Sequence, residues 1–154
     1  MGDRLRRSVA TQFGTLCVVE DAGQIVKLEW GVSGCVDPSA VLDAAQAQLV
    51  AYDRGELERF DLPLLVKGTG FQRDVCDAIS AIPFGYTRTY GEIAKDLGAP
   101  AQSIGQACGG NPIAVIIPCH RVMGAKGLTG FSGAGGIETK VALLRHEGAA
   151  GLLI

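Results

Sequence analysis

The sequence predicts an α+β protein: a small N-terminal sheet-plus-helix lobe, followed by a mostly helical C-terminal domain with a helix-turn-helix. Three observations carry that prediction. Apolar residues alternate near the start around a turn signal, Asp21-Ala22-Gly23. Apolar residues then recur at helical spacing from residue 37. Two capping patterns, Thr69 with Gln72 and Thr89 with Glu92, each precede a further apolar period. With 154 residues, 47% hydrophobic and 19% charged, the chain can fill a core and lies outside the disordered class.

Leu16, Val18 and their neighbours read as a strand, and Gln24 to Trp30 as its return. Asp37-Pro38 reads as a helix start, with Asp37 as N-cap and Pro38 at the first helical position. Val41, Leu42, Ala45, Leu49 and Tyr52 give that helix its apolar face, and Gly55 ends it. Phe60 to Val66 reads as a further strand. Lys67-Gly68-Thr69-Gly70 reads as a linker, which divides the chain into a scaffold lobe, 1–66, and a second domain, 67–154. Thr69 opens a helix to about Ile82, stopped by Pro83-Phe84-Gly85. Thr89 opens a helix that closes at Gly98, and Pro100 opens another that ends at Gly109-Gly110. Two short helices about a glycine turn fit a helix-turn-helix and equally an ordinary helical hairpin. Ile113 to Ile117 reads as an extended apolar run, and Gly124 to Gly136 as a loop. Ile137 to His146 reads as a last helix with a stripe of Ile137, Val141 and Leu144, capped by Gly148.

Composition narrows the function classes. No apolar run approaches the roughly 20 residues of a membrane span, and the basic start lacks an apolar stretch behind it, so a cytoplasmic protein is expected. Five cysteines at wide spacing do not form a disulfide framework, and two histidines without a Cys-x-x-Cys pair do not support a zinc site; no metal or cofactor is expected. Residues 1–66 hold six Lys and Arg against ten Asp and Glu, a net of −4; residues 67–154 hold eight against six, a net of +2. Any nucleic-acid contact therefore belongs to the second half.

The chemistry concentrates at Cys119-His120. In an extended segment the two side chains point to opposite sides, yet a nearby imidazole raises the thiolate fraction, directly or through a water. Arg121 adds positive potential, and Glu147 is placed to orient a histidine. A buried thiol beside a structural histidine is the plain alternative, as is a surface acid for Glu147 and a packing ring for Tyr90.

The set Phe71-Gln72-Arg73-Asp74-Val75, Ile82-Pro83-Phe84-Gly85, Thr89-Tyr90-Gly91-Glu92-Ile93-Ala94, Asn111-Pro112, Ile117-Pro118-Cys119-His120-Arg121-Val122 and Leu143-Leu144-Arg145-His146-Glu147-Gly148 resembles the O6-alkylguanine-DNA alkyltransferases. The likeness runs from about Gly70 to Gly148. It implies direct reversal of DNA damage, with the alkyl group of O6-alkylguanine, and of O4-alkylthymine as a further substrate, moved to Cys119 in a single turnover. In that reading the partner is double-stranded DNA and the protein a monomer. The resemblance implies His120 as the base acting through a water, Glu147 as its orienting carboxylate, and Tyr90 as the phenol at the leaving guanine. It implies Asn111 as the residue bracing the turn before the cysteine. The second helix would enter the minor groove, with Ala101, Ser103, Gly105 and Ala107 permitting close approach and the base flipped out. Thr89 and Arg121 are grouped with the DNA contacts, although the family pattern gives Arg121 a structural position. Val122, Phe131 and Ser132 would line the base pocket.

Two positions depart from the family pattern. Gln102 stands where an arginine usually wedges into the base stack; it brings no charge. Phe131 lacks the hydroxyl of the tyrosine often found there. Competing classes are a lesion-binding module without alkyl transfer, which typically lacks the cysteine, and a transcription regulator, which needs a charged recognition helix absent between Ala101 and Cys108. A cysteine hydrolase would need an oxyanion hole.

Overall fold

Three antiparallel strands open the fold: β1 (Leu5–Thr11), β2 (Gly14–Asp21) and β3 (Gln24–Trp30), in the order β1-β2-β3. The computed structural model describes residues 4–124 and 136–149. Two compact units divide it, Met1–Val66 and Lys67–Ile154.

In the first unit the β2–β3 turn falls on Ala22 and Gly23, both at positive φ (52° and 84°), the twist a two-residue hairpin requires. Leu16 to Val19 are all buried, so β2 is covered on both faces. Helix α1 (Ala40–Asp53) packs on β1 and β2 through Leu42, Ala45, Leu49 and Tyr52; Val41 stays at the margin of that face. Gly55, at φ 74°, closes α1 with Gly55 N–H donating to Tyr52 and Glu56 N–H to Ala51, the paired bonds of a left-handed C-terminal cap.

Two expectations are corrected in this unit, and one strand is added. The N-cap of α1 is Ser39, whose hydroxyl accepts from Leu42 N–H; the Asp37 carboxylate is occupied by the backbone N–H of Arg6 at 2.9 Å. Phe60 to Val66 is not a strand and makes a single parallel bridge, Ile25 to Leu64, beside Pro63, which has no N–H to extend a ladder. Strand β1, where only Val9 is buried, carries too weak an apolar signal to stand out in the sequence.

The second unit holds α2 (Gly70–Ser80), β4 (Arg88–Thr89), α3 (Tyr90–Leu97), α4 (Ala101–Gly109), a 3₁₀ turn (Cys119–Arg121), β5 (Val122–Met123) and α5 (Ile137–His146). Thr89 and Glu92 cap α3 reciprocally, and Gly98 closes it at φ 65°. At α2 only half of the expected box forms. Thr69 accepts from Gln72 N–H, but the Gln72 amide reaches across to the Ala107 carbonyl at 2.8 Å and ties α2 to α4. Among the described residues no helix is long and apolar enough to cross a membrane.

Candidate active site

The segment before Cys119 is a turn, not the extended run that five apolar residues suggest. Ile117 N–H donates to Ile113 at 2.8 Å, and Val115 sits at φ 73°, a strained conformation for a β-branched residue. Asn111 holds the turn from inside: its amide donates to the Ile117 carbonyl at 2.8 Å and its carbonyl accepts from Ile113 N–H at 3.0 Å. Asn111 is itself buried beside the Cys119 thiol, whose ionisation it favours.

Cys119, His120 and Arg121 form the 3₁₀ turn, so their side chains fan out about its axis and do not alternate as in a strand. All three are buried. His120 Nε2 lies 2.7 Å from Glu147 Oε2, both side chains fully buried. The other ring nitrogen, Nδ1, is buried and has no hydrogen-bond partner among the described residues. Glu147 also accepts from Arg121: Nε to Oε1 at 2.8 Å and Nη2 to Oε2 at 3.1 Å. Arg121 completes its bonding at the Ile82 carbonyl, 2.6 Å from Nη1, and lies over the Phe84 ring at 5.8 Å. Its grouping with the DNA contacts is therefore corrected: the guanidinium is buried, and each of its three nitrogens donates to an interior acceptor.

Glu147 owes its place to the end of α5. It is the C-cap residue, and Gly148, at φ 63°, lets Gly148 N–H bond Arg145 and Ala149 N–H bond Leu144. A carboxylate at a helix C-terminus is opposed by the helix dipole, so it is the two cationic or donor partners that hold it. The buried face of α5 is Lys140, Leu143 and Leu144, with Ile137 44% exposed, which corrects the expected stripe. Hydrophobic periodicity could not find this face, because one of its three members, Lys140, is charged.

Lys140 is the residue that the sequence reading missed. It is 1% exposed, and its Nζ donates to the Val122 carbonyl at 2.6 Å. Its one sequence signal is a seven-residue spacing from Glu147, two helical turns along one face.

Burial pushes the Cys119 thiol up, opposed by the Asn111 hydrogen bond and the Lys140 charge. Burial also depresses His120, against the pull of Glu147 and with the help of Arg121 and Lys140. For Glu147 burial acts upward, but the hydrogen bonds and charges of His120 and Arg121 outweigh it and hold the carboxyl at about 2. The site at rest therefore combines a protonated thiol, a neutral imidazole and a carboxylate.

Tyr90 is half-buried at the first position of α3. Strand β4 just before it runs parallel to β5, with Arg88 beside Val122 and Thr89 beside Met123, so its chain segment lies next to the one leaving Arg121. The Thr89 hydroxyl serves the α3 cap. Val122 is fully buried. On α4, Ala101 and Gln102 are exposed, Ser103 and Gly105 half-exposed, and Ala107 turned inward. A Cβ at Gly105 would meet open space. Phe131 and Ser132 lie outside the described residues.

Comparison with known proteins gives one consistent answer. Residues 70–149 match the family model of the 6-O-methylguanine DNA methyltransferase DNA-binding domain. A methylated-DNA–protein-cysteine methyltransferase of Mycobacterium bovis is 54% identical over 114 residues, 72% of this chain and 67% of its own. The crystal structure of Mycobacterium tuberculosis O6-methylguanine methyltransferase superposes with a TM-score of 0.84 at 41% identity, covering 95% of this chain and 93% of that one. A Mycobacterium tuberculosis structure solved in complex with DNA gives a TM-score of 0.81 at 41% identity, over 92% of each chain.

Proposed function

The chain belongs to the family of methylated-DNA–protein-cysteine methyltransferases, and from that premise we propose that Cys119 is the cysteine that takes up the alkyl group. The protein repairs DNA by alkyl transfer to a cysteine. Its substrate on this reading is O6-alkylguanine in double-stranded DNA, with O4-alkylthymine as a further lesion, met as a monomer in the cytoplasm.

The observation that carries the assignment of Cys119 is its neighbour in the turn, His120, paired with the buried Glu147 at the end of α5, with Nδ1 as the ring nitrogen left open among the described residues. Nε2 faces a carboxylate, so it carries the ring hydrogen and Nδ1 keeps a lone pair. A thiol kept protonated by burial needs a base, and an unpartnered Nδ1 supplies one, directly or through a bridging water. As the proton leaves sulfur, the thiolate attacks the alkyl carbon. A C–S bond forms, the C–O6 bond breaks with its electron pair to the guanine, and the Tyr90 phenol donates at that oxygen. The thioether is stable, so each molecule reacts once.

An alkyl carbon inside the base stack is out of reach, so the nucleotide must be turned out, at a cost of a few kcal/mol. Helix α4 suits the minor groove because it carries no charge and Ala101, Ser103 and Gly105 on its accessible side are small. Gln102, exposed at the second position of α4, is the residue we assign to fill the vacated place. Without a guanidinium it holds DNA less tightly. The substitution Gln102→Arg should tighten duplex binding and Gln102→Ala weaken repair; if neither changes binding or repair, Gln102 is not the wedge. For the function itself, a titration with lesion duplex should plateau at one repaired guanine per protein. Continued turnover would contradict it.

A further inference from the structure

Arg121, which the sequence groups with the DNA contacts, lies inside. We propose that Arg121 is a positioning residue that keeps His120 neutral: its guanidinium takes up the charge of Glu147, so the carboxylate orients the imidazole without drawing a proton onto it. The proposal rests on the alkyl-transfer reading above and assigns the ring's protonation state to a third residue.

The argument is one of charge in a closed space. A lone carboxylate 2.7 Å from a fully buried imidazole gains by protonating it, because the ion pair is then neutral as a whole. Here the carboxylate already carries a two-pronged guanidinium, at 2.8 and 3.1 Å. A proton on His120 would leave the trio with an uncompensated positive charge. Lys140, buried on the facing helix α5, would add to the repulsion. It would also give Nδ1 a buried N–H with no acceptor among the described residues, where the neutral ring has only an open acceptor. The charged and titratable groups around the turn all enter this account: Lys140 and Glu147 from α5 and its cap, Arg121 and Cys119 from the turn itself, and Cys76 from α2, which faces Cys119. Both cations act to depress His120, in addition to its burial.

The surroundings of Arg121 look made for it. Ile82 offers its carbonyl at 2.6 Å, Phe84 lies under the guanidinium, and Gly85 turns the chain at φ 85° with its backbone close to the Glu147 carbonyl. Three members of the run Ile82-Pro83-Phe84-Gly85 thus meet one Arg–Glu pair, far in sequence from the thiol they serve. A lysine would keep the charge but lose the fork.

The test is a pH profile together with a direct view of the ring. In the wild-type protein with ¹⁵N-labelled histidine, and with His146→Gln to assign the signals, His120 should show a neutral ring with hydrogen on Nε2 through pH 6. A protonated His120 at pH 6.5 to 7 would overturn the proposal, whatever any variant does. In single-turnover repair of a lesion duplex, Arg121→Met should move the acid limb upward by about one pH unit, a roughly tenfold further loss of rate at acid pH. Arg121→Lys should recover most of that shift. A folded Arg121→Met protein whose rate falls equally at every pH has lost only a brace, and the proposal fails. Absence of any transfer by the wild-type protein at any pH would instead refute the alkyl-transfer reading itself.

Discussion

The two units bury different things. Among the described residues, the first buries apolar side chains and a single charged one, Glu20, while the second buries His120, Arg121, Lys140, Glu147 and the amide of Asn111. The ion pairs of the first unit lie at its surface, as Arg7 with Asp43 and Lys27 with Glu29 do. The second has one such surface pair, Arg88 with Asp96, but those that Glu147 makes with His120 and Arg121 are closed off, with Glu147 at 0% side-chain exposure. Burying charge rarely stabilises a fold as well as an apolar side chain would. The difference teaches that the first unit is built for stability and the second gives up part of it to hold a reactive constellation.

The sharpest way to break that comparison is to remove one partner from the closed network. Glu147→Ala leaves a guanidinium and an imidazole buried without their acceptor. It should cost the second unit about 3–5 kcal/mol, read by denaturant unfolding. A cost below about 1 kcal/mol would mean that the network is not the strained element described.

Acid should act on the same unit. The Glu147 carboxyl is held at about 2, below its ordinary 4.5, so its contribution is fully present above about pH 4.5 and lost as pH falls through 2. The span corresponds to roughly 3 kcal/mol. His120, depressed by burial, adds with the same sign below its ordinary 6.5, since the unfolded chain takes up a proton that the folded one refuses. A melting-temperature series against pH should fall steeply on the acid side and flatten in Glu147→Gln. An unchanged slope would contradict the assignment.

The smallest effect belongs to the first unit. Ser39→Ala removes the cap of α1 and a hydroxyl bonded to Glu20, for about 1–2 kcal/mol. Trp30, the only tryptophan, stands on β3 and reports on this unit by fluorescence.

Much of the second unit was legible in the sequence where local chemistry decides local structure. Thr89 with Glu92 and the glycines at 98 and 148 mark helix ends because their backbone needs are met within a turn. Ile113 to Ile117 misled because a short apolar run has the same pattern whether extended or coiled into a buried turn. What bends it is Asn111, whose two bonds no local rule announces. Lys140 escaped notice because a lysine in a helix is ordinarily read as solvent-facing. Arg121 was misplaced for the same reason: its partners at Ile82 and Glu147 lie 39 and 26 residues away. Asp37 reads as a cap because aspartate and serine serve equally there; Arg6, 31 residues away, claims its carboxylate and leaves the cap to Ser39.

The most direct measurement is the mass of the protein after reaction. Incubated in reduced form with a duplex carrying O6-methylguanine, the chain should gain the mass of one methyl group. Fragmentation should locate that group on Cys119, and Cys119→Ser should gain nothing. A methyl group found on Cys76 or Cys108, or an unmodified protein after the lesion has disappeared, would contradict the account.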